Sequence, residues 1–563
     1  MKRNKIYLLE KHVPFGFLGC FLLIVVGRLL EFSKIRSLWI SKTGVAKSSF
    51  FGWQLFYRVS TGYKLISEMR QSRDSSVVKN QNFDEQNRLL IRTIQKEQFS
   101  FPFSGEEIFD YLIIGSGPGG MASARELIRS GLNVLIIEAG SGENIQGTQQ
   151  SLEEVMDSRW ECFGKSYLKS DLNISILQGR GLGGSSAISG MIIHRLSDES
   201  LSALIEYFAE KEVFFDAEKY RRCEDSWIDA LHVSSSKKLY SGAMESSYLR
   251  EMRTMSRAIL GCKDTGMCQL GCPNSGKNSL DQTLYRELQG LGCKFLFKHK
   301  AAIKFSSFDE CVVNVTSIDD NYQHSLRPKY GVFLAAGAIS SPKIVRSSGL
   351  NRKEVGSNLR LNFGPSAAFL YPRPKIEIER FLMGIELFGE HNIKYASQSI
   401  PKEMFLARLW PFSKEPRQEF QEIDKWSIWT ASFASDGEGF INTKTRTSNL
   451  GEFSLSDFDF ERFRIARQTL EQIGYDFGAQ RIINLSSVGS SHLFGTLSTC
   501  GPFIYSKTKI NENPKTFSRL TCVDASIIPM ATGINPILTI LTVSSLITQQ
   551  VLAEDLKNQL KIL

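Results

Sequence analysis

The chain has 563 residues, 42% hydrophobic and 23% charged, which provides core for two or more folded domains and excludes a disordered or fibrous protein. Its formal charge of +9 is concentrated at the start: residues 1–50 carry +7 and residues 51–100 carry +3, so the remainder carries −1. A body so close to neutral argues against nucleic-acid binding, which needs a basic face on the fold itself.

The basic first hundred residues hold an uncharged stretch between Lys11 and Arg28 centred on Phe17, Leu18, Phe21, Leu22, Leu23, Ile24, Val25 and Val26. It is short for a spanning helix, which usually takes about 20 apolar residues, unless Leu29 and Leu30 are included and Arg28 snorkels. No A-x-A cleavage site follows it, and basic residues on both flanks leave orientation open. Residues 12–30 can span a membrane, lie on it, be cleaved, or pack as a helix on the folded body. Phe50, Phe51, Trp53, Phe56 and Tyr57 add aromatic content suited to an interface. Membrane association through this segment is expected, with the cytoplasmic side preferred because nothing demands export.

Tyr111, Leu112, Ile113 and Ile114 read as a buried strand, and Gly115, Gly117 and Gly120 follow in G-x-G-x-x-G register. Residues 121–130 favour helix, Gly131 stops it, and residues 133–138 read as the next strand, ending on Glu138. In this βαβ context Gly115 allows the tight turn, Gly117 admits a pyrophosphate and Gly120 lets helix and strand pack closely. Glu138 is placed to accept hydrogen bonds from ribose hydroxyls. An adenosine diphosphate moiety follows, but the motif does not choose between NAD and FAD.

A second glycine loop lies at Gly179, Arg180, Gly181, Leu182, Gly183, Gly184, Ser185 and Ser186. Its backbone N–H groups can converge on an anion and its serines add hydroxyls, although a flexible connector would look the same. Cys262, Cys268 and Cys272 are spaced C-x5-C-x3-C, which thiolate ligands of an iron-sulfur cluster could use. No fourth ligand is visible, so a tight loop with buried thiols is preferred, and no other metal site is expected. Ten cysteines irregularly placed suit a reducing compartment. Residues 330–337 read as a strand ending in the small residues Ala335, Ala336 and Gly337, which permit close approach by a ligand. Near the end come His492 before Gly495 and Thr496, Asp524 before Pro529, and Asn535 with Pro536 opening the apolar run 537–547.

With this set in view, residues 106–555 resemble the glucose-methanol-choline (GMC) family of FAD-dependent oxidoreductases. Residues 267–277 look like the segment of its branch with cholesterol oxidases, long-chain alcohol oxidases and bacterial sugar or polyol dehydrogenases. The resemblance implies that Gly115, Gly117, Gly120 and Glu138 hold the adenosine half of FAD, and that Gly179, Arg180, Gly183, Gly184, Ser185 and Ser186 lie beside the flavin. It implies further FAD contacts at Ala336 and Gly337 and at Asp524, an active-site histidine at His492, and its partner at Asn535. Two positions depart from the family pattern: Ser189 where Asn is usual, and Asn362 where His is usual. No attachment residue stands out, so FAD is expected to be noncovalent.

Oxidising an alcohol removes an O–H proton and a C–H hydride, so a base must stand beside the substrate oxygen. Histidine has the side-chain pKa nearest neutrality and Asn535 can orient the same oxygen. The expected function is FAD-dependent oxidation of the CH–OH group of a sugar, polyol, sterol or long-chain alcohol, with oxygen, a quinone or a redox protein as electron acceptor. The alternatives are a flavin-scaffold lyase, isomerase or binding protein without net redox turnover, and NAD-linked dehydrogenation.

The expected fold is α/β: a Rossmann-like FAD-binding domain built from discontinuous segments, plus a substrate domain with an antiparallel sheet. The FAD domain is expected from residues 101–200, 264–356 and 485–563, and the substrate domain from residues 357–484, rich in aromatic and β-branched residues. Residues 201–263 are expected to form a helical pocket wall and residues 1–100 a membrane-proximal segment.

Overall fold

The computed structural model describes residues 108–562 except 148–151, 165, 173, 236–252, 264, 306–310, 351–352, 373–383, 399–400, 410–420, 445–448 and 507–518. The expectations for residues 1–100, the apolar stretch 12–30 included, lie outside the described residues. The helix Lys402–Leu409 belongs to a separate compact unit from the body described here.

The first sheet is built around four consecutive buried apolar residues, Tyr111–Ile114, the pattern of a strand covered on both faces. Val134–Ile137 pairs parallel on one side and Gly331–Leu334 parallel on the other. Lys294–Leu296 and Arg519–Cys522 extend the parallel order outwards, and Phe503–Ser506 closes one edge antiparallel. These six strands run from Tyr111–Ile114 to Arg519–Cys522 in sequence, so the sheet assembles only when the C-terminal region returns to the N-terminal one.

The helix Pro118–Arg129 leaves the first strand with Pro118 in its first turn, where a missing N–H costs nothing. The helix Ile537–Ile562 packs against it and against Ala217–Ala230, burying Leu538, Leu541, Leu546, Ile547 and Val551. Within this helix, Ile537–Lys557 is long and apolar enough to cross a membrane, but most of that window is buried inside the body, as in a core helix.

The second sheet has ten strands, mostly antiparallel, with Arg481–Phe494, Arg360–Leu370 and Trp426–Ala434 side by side at its centre. Lys394–Gln398 and Ile385–Phe388 continue it on one side. Ser166–Lys169 and Ile174–Ile176 join it on the other through parallel pairings as well as antiparallel ones. Its core includes Phe363, Phe369, Trp429, Phe433 and Leu470. The helix Asp457–Asp476 covers one face and begins with a capping box between Ser456 and Asp459. The molecule is thus an α/β domain with a parallel sheet joined to a largely antiparallel one.

Two placements differ from the segmentation read in the sequence. The strands Ser166–Lys169 and Ile174–Ile176, within the expected cofactor stretch 101–200, belong to the ten-stranded sheet. So does the long strand Arg481–Phe494, which crosses the expected boundary at residue 485.

Candidate active site

The first glycine loop is shaped by close backbone approach. A Cβ at Gly120 would lie 2.0 Å from the Gly115 carbonyl oxygen, so helix and strand meet only with glycine there. Gly117, in contrast, has open space where its side chain would be. The second loop comes directly to it: a Cβ on Gly184 would stand 3.1 Å from the Gly117 Cα.

Glu138 joins the two loops. Its Oε2 accepts from Ser116 N at 3.0 Å and Ser116 Oγ at 2.8 Å, and its Oε1 accepts from Gly140 N at 2.8 Å and Gly181 N at 3.1 Å. A buried carboxylate so ringed by donors organises the backbone where the two glycine loops meet.

Within the second loop, hydroxyls expected to face a pyrophosphate are engaged locally. Ser186 Oγ donates to the Gly183 carbonyl at 2.7 Å, and Ser185 Oγ accepts from Gly179 N at 3.0 Å. Arg180 sends Nη2 to the Asp157 carbonyl at 2.7 Å. Ser189, at the departure from the family pattern, donates to the Ser186 carbonyl at 3.0 Å. These groups set the loop's shape because short side chains bond their own backbone more readily than a distant ligand.

A residue not anticipated from the sequence is Arg159. Its guanidinium is fully buried, with Nη1 3.4 Å from the Ser141 carbonyl, while Nε and Nη2 have no partner among the described residues. A Cβ on Gly181 would lie 2.6 Å from that Nη1. An orphaned buried cation beside two glycine loops fits a phosphate-bearing cofactor. Nothing around Arg159 in the sequence signals this.

The third and fourth pieces meet through Asp524. Its Oδ2 accepts from Gly337 N at 2.8 Å and Ser341 Oγ at 2.5 Å, and its Oδ1 accepts from Ser526 N at 2.8 Å. Ala336 N donates to that same Ser341 hydroxyl at 3.1 Å. The strand end 335–337 and the tail around Asp524 therefore form one rigid corner.

His492 lies on the central strand of the ten-stranded sheet, directly across from Asn362 in the antiparallel register. Asn362 Nδ2 stands 3.4 Å from His492 Nδ1, and Asn535 Nδ2 stands 3.5 Å from His492 Nε2. Asn362 also donates to the Ile534 carbonyl at 2.8 Å and accepts from Gly533 N at 2.8 Å, which fixes the turn that presents Asn535. Burial, the Lys394 cation and the nearby His194 ring push the His492 pKa down to about 3, so the ring is neutral at ordinary pH.

Behind Asn535 is a charged group that the sequence did not advertise. Lys394 Nζ donates to Asn535 Oδ1 at 2.6 Å. Glu386, two positions from Lys394's direct partner on the neighbouring strand, bonds His194 Nε2 at 2.7 Å and pairs with Arg253 Nε at 3.2 Å. Burial pushes Glu386 up, but the His194 bond and the Lys394 and Arg253 cations outweigh it, leaving its pKa below the usual carboxylate range.

The cysteine segment forms a loop around the short turn Cys268–Leu270. No group of three His, Cys, Asp or Glu among the described residues is placed to hold a metal ion. Burial raises the Cys268 thiol pKa, which opposes the thiolate that ligation requires. The segment instead braces the second glycine loop: buried Lys277 donates to the carbonyls of Ala187 at 2.5 Å, Cys268 at 2.7 Å and Ser189 at 3.3 Å.

Comparison with known proteins agrees with this geometry. Residues 109–363 match the family model described as GMC oxidoreductase. An uncharacterised GMC-type oxidoreductase of Sinorhizobium fredii is 23% identical over 499 residues, covering 79% of this chain and 95% of the relative. A long-chain-alcohol oxidase of Arabidopsis thaliana is 22% identical over 521 residues, covering 77% of this chain and 67% of the relative. Among solved structures, pyridoxine 4-oxidase from Mesorbium loti aligns with a TM-score of 0.51 at 15% identity, over 78% of this chain and 99% of that one. A formate oxidase from Aspergillus oryzae aligns with a TM-score of 0.53 at 13% identity, over 80% of this chain and 99% of that one. These two structures share the fold.

Proposed function

This chain carries a GMC oxidoreductase domain, and on that premise we propose that it oxidises the CH–OH group of an alcohol, with His492 as proton acceptor and Asn535 as its orienting partner. The supporting observation is the meeting of His492, Asn362 and Asn535, three side chains from a strand, a neighbouring strand and a helix-opening turn. GMC oxidoreductases bind FAD, which supplies a hydride acceptor when bound. Here the open space at Gly117 and the orphaned Arg159 guanidinium suit its phosphates, and Glu138, Ala336, Gly337 and Asp524 would hold it noncovalently.

The residues' tasks follow from their chemistry. A neutral imidazole has one bare nitrogen and accepts the hydroxyl proton as the C–H hydride leaves. Its low basicity rises when negative charge develops on the substrate oxygen beside it, so proton transfer and bond cleavage favour each other. The Asn535 amino group donates to the same oxygen and limits its rotation.

The relatives named as long-chain-alcohol oxidases favour a lipid-like alcohol, and sterols, sugars and polyols complete the candidate class. The membrane reading of residues 12–30 rests on the sequence alone. The test is anaerobic mixing of the FAD-loaded protein with a panel of long-chain alcohols, sterols and sugars. At least one alcohol should bleach the visible flavin absorbance, and subsequent admission of oxygen, a quinone or a redox protein identifies the acceptor by the colour it restores. A flavin that no alcohol bleaches would point to a lyase or isomerase on the same scaffold.

A further inference from the structure

Lys394 is 5% exposed and buries an ammonium group, a costly act that packing alone does not explain. It lies on the strand Lys394–Gln398, whose alternation gives no sign of a function. Among the described residues its ammonium donates to the carboxamide of Asn535, at 2.6 Å.

An ammonium has donors and no acceptor, so this bond decides the direction of the Asn535 side chain. Oδ1 must face Lys394, and Nδ2 then faces His492 Nε2 at 3.5 Å. On the other side of the ring, Asn362 is fixed in the same sense, because its Oδ1 accepts from Gly533 N and its Nδ2 points at His492 Nδ1. Both imidazole nitrogens therefore face amino groups. Asn362 Nδ2 gives its short bond to the Ile534 carbonyl at 2.8 Å, so the single N–H of the neutral ring is opposed less at Nδ1 than at Nε2, which the Asn535 amino group faces.

The charged surroundings reinforce this. Lys394 is faced by Glu386 from the adjacent strand, by Arg253 from the strand beyond it, and by the rings of His194 and His492. Glu386 is committed to His194 and Arg253, so it does not offer an acceptor to His492.

We propose that Lys394 is a positioning residue: by clamping the Asn535 carboxamide it denies His492 any internal acceptor at Nε2, keeping that nitrogen unprotonated and able to take the hydroxyl proton of the substrate. The proposal rests on the roles given above to His492 and Asn535. In the step, the alcohol O–H bond breaks as an N–H bond forms at Nε2, the C–O bond gains double-bond character, and the hydride leaves carbon for the FAD that the proposed function includes. Without the clamp, Asn535 can turn Oδ1 toward the ring, accept from an Nε2–H and hold the tautomer that cannot take the proton.

The tautomer is measurable without turnover. The chain has seven histidines, so full-length, FAD-loaded protein labelled with ¹³C,¹⁵N-histidine gives a simple NMR spectrum, and His492→Ala assigns the His492 signal. In the wild type the ring should stay neutral, with Nε2 unprotonated, down to about pH 5. In Lys394→Met the ring should change to the Nε2–H form and titrate at least about one unit higher. Lys394→Arg should restore much of the wild-type spectrum, and Lys394→Gln, neutral and close in length, gives a second neutral variant if the methionine variant does not fold. Anaerobic flavin reduction by an active alcohol should slow by at least about tenfold in the neutral variants while the alcohol's apparent Kd changes much less. An unchanged tautomer and titration in both neutral variants would overturn the proposal. A wild-type spectrum as predicted in a protein that no alcohol reduces would instead overturn the proposed reaction.

Discussion

Lys394 has an energetic signature of its own. Burial, only partly offset by Glu386, lowers its pKa from 10.5 to about 8, while an unfolded chain would restore the ordinary value. The unfolded state thus binds the extra proton more tightly, and the residue opposes folding at every pH below about 8. After subtracting the roughly 1 kcal/mol of its bond to Asn535, Lys394→Met should stabilise the fold by on the order of 2 kcal/mol near neutral pH. The gain should shrink as pH rises from about 8, where the native lysine loses its charge, toward 10.5, where the unfolded one does. Thermal unfolding at two pH values checks this, and a variant less stable than the wild type at pH 7 would mean that the lysine serves packing. Glu138 behaves oppositely. Four donors converge on it, so Glu138→Ala leaves buried N–H groups unpaired at about 1–3 kcal/mol each and should release the flavin during desalting. His492, Asn535 and Glu138 were legible because each stands in a local motif. Lys394, Glu386, His194 and Arg159 were not, since each is an isolated polar residue in a stretch whose pattern is otherwise that of a strand or loop. Asn362 was visible only as a departure, and its place across from His492 is a matter of strand register.

Among the elements, the strand–glycine loop–helix–strand unit was readable in outline because its apolar runs, its helix stop at Gly131 and its terminal acid all fall within thirty residues. The central strand Arg481–Phe494 was not. It was divided between domains because a sequence shows where alternation begins, but pairing with Arg360–Leu370 and Ile174–Ile176 decides to which sheet it belongs. The helix Pro118–Arg129 carries a sharper test. With its Cβ 2.0 Å from the Gly115 carbonyl oxygen, Gly120→Ala must push the helix off the strand. We expect loss of several kcal/mol and no retained flavin, read by unfolding and by the absorbance of the purified protein. Retention of flavin at wild-type stability would show that the close approach is not needed.

On the scale of the whole molecule, two sheets divide the work. The parallel sheet carries the first glycine loop at the end of Tyr111–Ile114, and the largely antiparallel sheet holds His492 and Asn362 on neighbouring strands with Lys394 two strands beyond Asn362. The turn 533–536 belongs to neither, and it brings Asn535 to both His492 and Lys394 just before the last helix begins. That helix passes a membrane test by composition, yet its apolar side chains are buried against two other helices, so hydrophobicity here reports core packing. The most direct test of the account is the single-turnover rate of anaerobic flavin reduction by an active alcohol, compared between the wild type and His492→Ala at matched flavin content. The account predicts a fall of about a hundredfold or more with the flavin still bound, and a variant that reduces its flavin at the wild-type rate would contradict it.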